Sequence, residues 1–334
     1  MTMKIISCAS YYGSGSSVIT DFVSEFESVY SYTNEEFRFV QDPDGISDLE
    51  YNLVENFNRH NSGYALKKYK QLVDFYTGDF LNRRYDKFLQ GNWKKLSYQY
   101  IENLTDFKYH GWWQYDLFGK GKLFYFRKRF LNKIIKGTIW HNQPERSLNN
   151  LKEEITYCSH PSEEKFLRLT REYIDALFSS VSDKDIVVVD QLVPPSNNKR
   201  FVRYFNNLQA IIVDRDPRDI YLLEKYVWKD GVIPANVRTF CKWFLYTRDN
   251  RQNTISDDMH FKYIQFEDMV YKYDETTNSI ENWLGLKEKD HLRKREIFNP
   301  NVSKKNTRLW EKINCDKEEI NYIEKHLSNY LYSY

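Results

Sequence analysis

The chain has 334 residues, 41% of them hydrophobic, which suffices for one large domain or two small ones. A net charge of +2 at pH 7 gives no global field, so no nucleic-acid partner is expected. No apolar run approaches the roughly 20 residues of a membrane span, and no basic–apolar signal opens the chain. The four cysteines are scattered, with no C-x-x-C or Cys/His spacing for zinc, so a reduced, cytoplasmic, soluble protein is expected.

In chain order, Lys4 to Ser7 reads as a strand, followed by a Gly/Ser loop and a helix whose stripe is Val18, Phe22, Val23 and Phe26. Val29 to Tyr32 and Phe37 to Val40 read as short extended segments, and "QDPDG" (Gln41 to Gly45) as a turn. From Ser47 to about Lys136 the pattern is mostly helical and dense in rings, as befits a chain with 27 Tyr and 8 Trp, with loop signals inside Tyr109 to Lys122, and the block runs on to about 154. This block reads as an insertion or cap within a single domain covering 1–334. It contains "FRKRFLNKIIKG" (Phe126 to Gly137), a basic amphipathic helix that is either a solvated face over an apolar stripe or a wall for an anion. Trp112, Trp113, Tyr115 and Phe118 either stack on a sugar acceptor or fill core.

Beyond Pro161 a helix runs to about Ser180. "DIVVVD" (Asp185 to Asp190) then has the continuous apolar run of a strand buried on both faces. "QAIIVDRDPRD" (Gln209 to Asp219) repeats the theme of strand, charged turn and helix. So do "FKYIQFEDMV" (Phe261 to Val270) and the helix ending at Gly285. Alternating strands and helices predict a three-layer α/β fold, P-loop-like, with a central parallel sheet and a helical, aromatic-rich insertion.

The loop after the first strand carries Gly13, Ser14, Gly15, Ser16 and Ser17. Glycines let backbone approach an anion, and N–H groups at a helix start bind phosphate without a charged side chain. The ATP-loop pattern G-x-x-x-x-G-K-[ST] fails, because Ser10 and Ser16 stand where Gly and Lys are needed.

Ser14-Gly15-Ser16-Ser17 resembles the S-G-T-T core of sulfotransferases that use 3′-phosphoadenosine 5′-phosphosulfate. "IIVDRDPRDIY" (Ile211 to Tyr221), "YIQFEDMV" (Tyr263 to Val270) and "VSKKNTRLWEK" (Val302 to Lys312) resemble that family's later segments, in the same order. The resemblance implies phosphosulfate as co-substrate with no metal, Arg215 on its 3′-phosphate, and Lys304, Lys305 and Asn306 in a loop closing over the nucleotide. Gly13 stands where the family has Lys or Arg, and Leu223 where it has Ser. The missing cation is then expected from Arg38, Arg218, Lys304 or Lys305.

Sulfuryl transfer also needs a base. "EEFR" (Glu35 to Arg38) resembles E-E-T-R of tyrosylprotein sulfotransferases, which implies Glu36 as base and Arg38 as its helper; Asp42 and Asp190 are alternatives. The expected function is sulfuryl transfer to a hydroxyl of a small-molecule or saccharide acceptor. The competing functions are a small-molecule kinase with a degenerate loop and a non-catalytic nucleotide-binding protein.

Overall fold

The strands are β1 (Lys4–Ser10), β2 (Val29–Glu36), β3 (Phe107–His110), β4 (Ile155–Cys158), β5 (Ile186–Asp190), β6 (Leu208–Asp214) and β7 (Phe261–Gln265). Of these, β1, β5 and β6 coincide with the apolar, β-branched runs of the sequence. The computed structural model describes residues 3–78, 84–111, 119–146, 154–249 and 259–334. The chain divides into two compact units. One holds Met1–Asp42, Lys87–Gln90 and Ile174–Tyr334; the other holds Pro43–Asp86 and Gly91–Tyr173.

The first unit is α/β. Its sheet has the order β2-β5-β1-β6-β7, and every neighbouring pair is parallel. Along β1, β5 and β6 nearly every residue is buried, as in a sheet covered on both faces. Ile6, Val188, Ile211 and Val213 pack with Val18, Ile19, Phe22 and Val23 of the helix Ser17–Val23, and with Met269 and Ile280 of later helices. Truncating a ring as buried as Phe22 to alanine costs about 3–5 kcal/mol. Segment Phe37 to Val40 is not a strand. The Phe37 N–H still donates to Asp190 O, but Gln41 and Asp42 N–H then turn back to Arg38 O and end the extension.

The strand order fixes where a site can lie. From β1 the chain leaves toward β2 on one side of the sheet, and from β6 it leaves toward β7 on the other. The crevice at the carboxyl ends of β1 and β6 is therefore a topological switch point, where open α/β sheets bind ligands.

The second unit is helical around buried rings. It also holds a two-stranded antiparallel ladder of β3, in a stretch whose sequence pattern predicts helix, and β4, which lies just beyond that block. Trp93 is fully buried and donates its indole N–H to Val73 O at 2.9 Å. Tyr76 stacks on Tyr85 at 4.2 Å and Tyr100 on Tyr173 at 4.5 Å. The hydroxyl of Tyr173 meets Ser97 Oγ at 2.6 Å, and that of Tyr100 meets Thr170 Oγ1 at 2.7 Å. Much of the tyrosine is thus core whose polar tips are satisfied. Trp112, Trp113, Tyr115 and Phe118 lie outside the described residues.

Candidate active site

The loop after β1 is shaped by two residues with positive φ, Gly13 at 78° and Gly15 at 86°. Neither position has room for a side chain. A Cβ on Gly13 would lie 2.9 Å from Ile233 Cδ1, and one on Gly15 2.8 Å from Phe266 Cδ2. Strain and lack of space together explain why glycine, not lysine, occupies position 13. The N–H groups of Gly15, Ser16 and Ser17 find no acceptor among the described residues. Ser14 is different. Its hydroxyl is shared between Tyr11 O and Val213 O, at 2.8 and 2.7 Å, and its N–H donates to Tyr11 O. That residue pins the loop to the end of β6 and offers nothing to a ligand.

A cavity of about 590 Å³ opens at this crevice. Gly13, Gly15, Ser16 and Ser17 line it together with Glu36, Arg38 and Arg215. Arg215 is only 3% exposed and makes no ion pair with a described residue. One of its Nη groups reaches Gly13 O at 3.5 Å and the other donates to Asn306 O, while Nε has no partner. Its guanidinium lies 4.2 Å from the Phe266 ring centre. Burial pulls Arg215 below its ordinary pKa, against the opposing pull of Asp219 and Glu267. A buried cation short of acceptors beside unbonded backbone N–H groups is an arrangement an anion completes.

Arg38 is the second cation of the cavity. Nε donates to Asp42 Oδ1 at 2.9 Å, Nη2 to Tyr12 OH at 3.1 Å, and Nη1 pairs with Glu36 Oε2 at 3.6 Å. Burial works to lower its pKa, but the hydrogen bonds to Tyr12 and Asp42 outweigh that and hold it above the ordinary value. Asp42 thereby orients Arg38, and Glu36 is a half-exposed carboxylate on the cavity wall. Asp190 ends β5 and is buried. Its Oδ2 accepts from Ser16 Oγ at 3.3 Å, and its Oδ1 has no partner. Burial first, and then the nearby Glu36 charge, push its pKa up to about 7.

Other expected ligands have different duties. Arg218 is consumed inside the protein: Nε and Nη2 grip the carboxylate of Asp216 at 3.0 and 2.7 Å, Nη1 reaches Glu324 at 2.8 Å, and Trp310 lies under it at 3.7 Å. It is absent from the cavity wall. Asp216 also caps the helix that Pro217 opens, accepting from Arg218 N. Asp219 accepts from Arg308 N and Leu309 N at 3.0 and 2.8 Å, and burial raises its pKa to about 6. Lys304 and Lys305 are exposed and do not line the cavity. Asn306 enters through its carbonyl, which holds Arg215 from behind. The late basic segment, in this geometry, buttresses the arginine and does not cover the cavity.

Three further residues of the site, Tyr12, Gln191 and Glu224, are not singled out by the sequence motifs. Gln191 follows a strand-ending aspartate, a position that marks ligand sites in such sheets, and its amide donates to Ser10 Oγ at 2.6 Å. Glu224 lies in a π-helical turn, Leu223–Trp228, which nothing in the sequence announces. Its Oε1 accepts from Gly231 N at 2.9 Å, and its Oε2 is buried on the cavity wall without a partner. Among the described residues no group of three or more His, Cys, Asp or Glu is placed to hold a metal.

No protein-family model matches the sequence, and no curated protein is detectably similar to it. Among solved structures, the sulfotransferase domain of the Synechococcus PCC 7002 olefin synthase aligns over 99% of this chain and 95% of its own, with 13% identity and a TM-score of 0.43. The sulfotransferase domain of the curacin biosynthetic pathway aligns over 99% of both chains, with 12% identity and a TM-score of 0.41. A sulfotransferase from Mycobacterium avium aligns over 98% of this chain and 76% of its own, with 10% identity and a TM-score of 0.38.

Proposed function

We propose that the protein transfers a sulfuryl group from 3′-phosphoadenosine 5′-phosphosulfate to a hydroxyl of a saccharide or other small molecule. The observation that carries this reading is Arg215: a buried arginine with no ion pair among the described residues and an unpartnered Nε, on the wall of the cavity that the Gly13–Ser17 loop also lines. In the proposed reaction the loop N–H groups hold the 5′-phosphate and Arg215 the 3′-phosphate. The acceptor oxygen attacks sulfur, the sulfur–oxygen bond to the 5′-phosphate breaks, and adenosine 3′,5′-bisphosphate leaves. Glu36 takes the acceptor proton. Arg38, oriented by Asp42 and Tyr12, neutralises charge that builds on the transferring group, which is where a fixed cation contributes most. Asp190 sets the loop through Ser16.

The test is calorimetric titration with adenosine 3′,5′-bisphosphate and, separately, with Mg-ATP, followed by transfer from labelled phosphosulfate to a panel of sugars and phenols. Tight bisphosphate binding and label in an acceptor are expected. Tight binding of Mg-ATP alone would point to a kinase instead. Bisphosphate binding without transfer to any acceptor or to water would leave a nucleotide-binding protein with no sulfotransferase activity.

A further inference from the structure

The helix Lys122–Gly137, in the second unit, has no buried residue. Leu123, Phe126, Phe130 and Ile134 follow one another at spacings that place them in a single stripe, and they are 78%, 60%, 66% and 44% exposed. At about 100° per residue, the apolar side chains with Phe124, Leu131 and Ile135 fill roughly half of the circumference, interrupted by Arg127. Lys128, Arg129, Lys133 and Lys136 take the other half, and the helix contains no carboxylate. Neither these cations nor Lys122 and Arg127 make an ion pair with a described residue.

Two incomplete halves meet on this one element. An exposed apolar stripe this long needs cover, and unpaired cations of one sign need an anionic counterpart. A single surface supplies both: a bilayer of anionic lipid, whose acyl boundary takes the rings while its headgroups take the lysines and arginines flanking them. We propose that this helix lies in the plane of an anionic membrane surface and attaches the protein to it peripherally. Among the described residues no helix is long and apolar enough to cross a membrane, so attachment here is to the interface. The proposal stands apart from the sulfuryl-transfer reading and uses none of its residues.

The test is co-sedimentation of the full chain with vesicles of phosphatidylcholine alone and of phosphatidylcholine mixed with phosphatidylserine. Wild type should sediment with the anionic vesicles and weaken as salt rises. Replacing both rings, Phe126→Glu with Phe130→Glu, should lower the partition coefficient more than tenfold. Arg129→Gln and Lys133→Gln should each lower it about fivefold. Circular dichroism melts check that the variants are folded. Absence of wild-type binding to anionic vesicles overturns the proposal, as does undiminished binding by the double phenylalanine variant. Equal binding to soluble poly-glutamate would show charge alone at work and overturn it too. So would wild-type self-association in analytical ultracentrifugation that the double variant abolishes, since a second copy would then be the cover.

Discussion

The turn Arg215 to Asp219 and the helix Lys122–Gly137 are both dense in charge, yet the protein treats them in opposite ways. In the turn every charged side chain is buried, and three of the four are consumed by partners: Asp216 by Arg218 and a helix start, Arg218 by Asp216, Glu324 and Trp310, Asp219 by two backbone N–H groups. Arg215 alone retains a donor without an acceptor. In the helix no cation is buried and none is paired within the described residues. Charge density by itself therefore says little. Burial tells which charges hold the fold, which one keeps an unused donor at a cavity wall, and which lie on an outer surface.

That contrast can be broken experimentally, beginning where the expected effect is largest. Arg38→Ala should lower kcat for sulfuryl transfer by at least about 10²-fold, the range for losing one transition-state donor. A fully active variant would remove Arg38 from the proposed transfer step. Arg215→Ala should weaken adenosine 3′,5′-bisphosphate binding by roughly 10–150-fold in calorimetry. Unchanged affinity in a folded variant would return Arg215 to a structural role. Gly13→Ala should cost about 1–3 kcal/mol in denaturant unfolding, because it adds both a strained φ and a clash with Ile233.

The buried acid Asp190 sharpens the comparison through pH. Its folded pKa of about 7 lies above the unfolded value, so the native state keeps a proton that the unfolded chain has released. The contribution of Asp190 to stability should therefore fall as pH rises from about 4 toward 7, by on the order of 1 kcal/mol per unit, and level off beyond. Asp190→Asn should reduce the slope of the urea-midpoint profile over that range, with Asp219, raised to about 6, and Glu267, raised to about 8, still titrating; an unaltered slope would place the titration elsewhere. At the small end, Lys128→Gln and Arg129→Gln should shift unfolding free energy by less than about 0.5 kcal/mol, since neither is buried or makes an ion pair with a described residue, and the Lys128 ammonium meets only the Phe124 ring, at 5.7 Å, among the described residues.

Several of these features are legible in the order of the amino acids. The continuous apolar runs of β5 and β6 signal a doubly covered parallel sheet, and the glycines of the first loop signal a backbone that must pass through positive φ. What stays hidden there is what depends on three dimensions. The ladder pairs β3, in a ring-rich stretch whose local pattern is helical, with β4, more than 40 residues later and beyond that block. Composition alone does not separate Arg215 from Arg218, three positions apart in "RDPRD"; the resemblance singles out Arg215, and the fold puts it on the cavity wall and Arg218 over Trp310. The role of Asp42 as a tether for Arg38, and of Asn306 as a carbonyl prop, lies in contacts that no spacing encodes.

The prop has a consequence for how the protein is made. Arg215 is held by Gly13 on one side and Asn306 on the other, while Asp219 is bound by the backbone of Arg308 and Leu309. During synthesis the glycine loop emerges almost 300 residues before that latch. At typical elongation speeds the interval is roughly 15–60 s. For much of it, β1 lacks its neighbours β5 and β6 and exposes an apolar edge to the ribosome's surroundings. The cavity beside Arg215 is consequently a late product of translation, and a chain stalled before Asn306 leaves the guanidinium of Arg215 without its rear support.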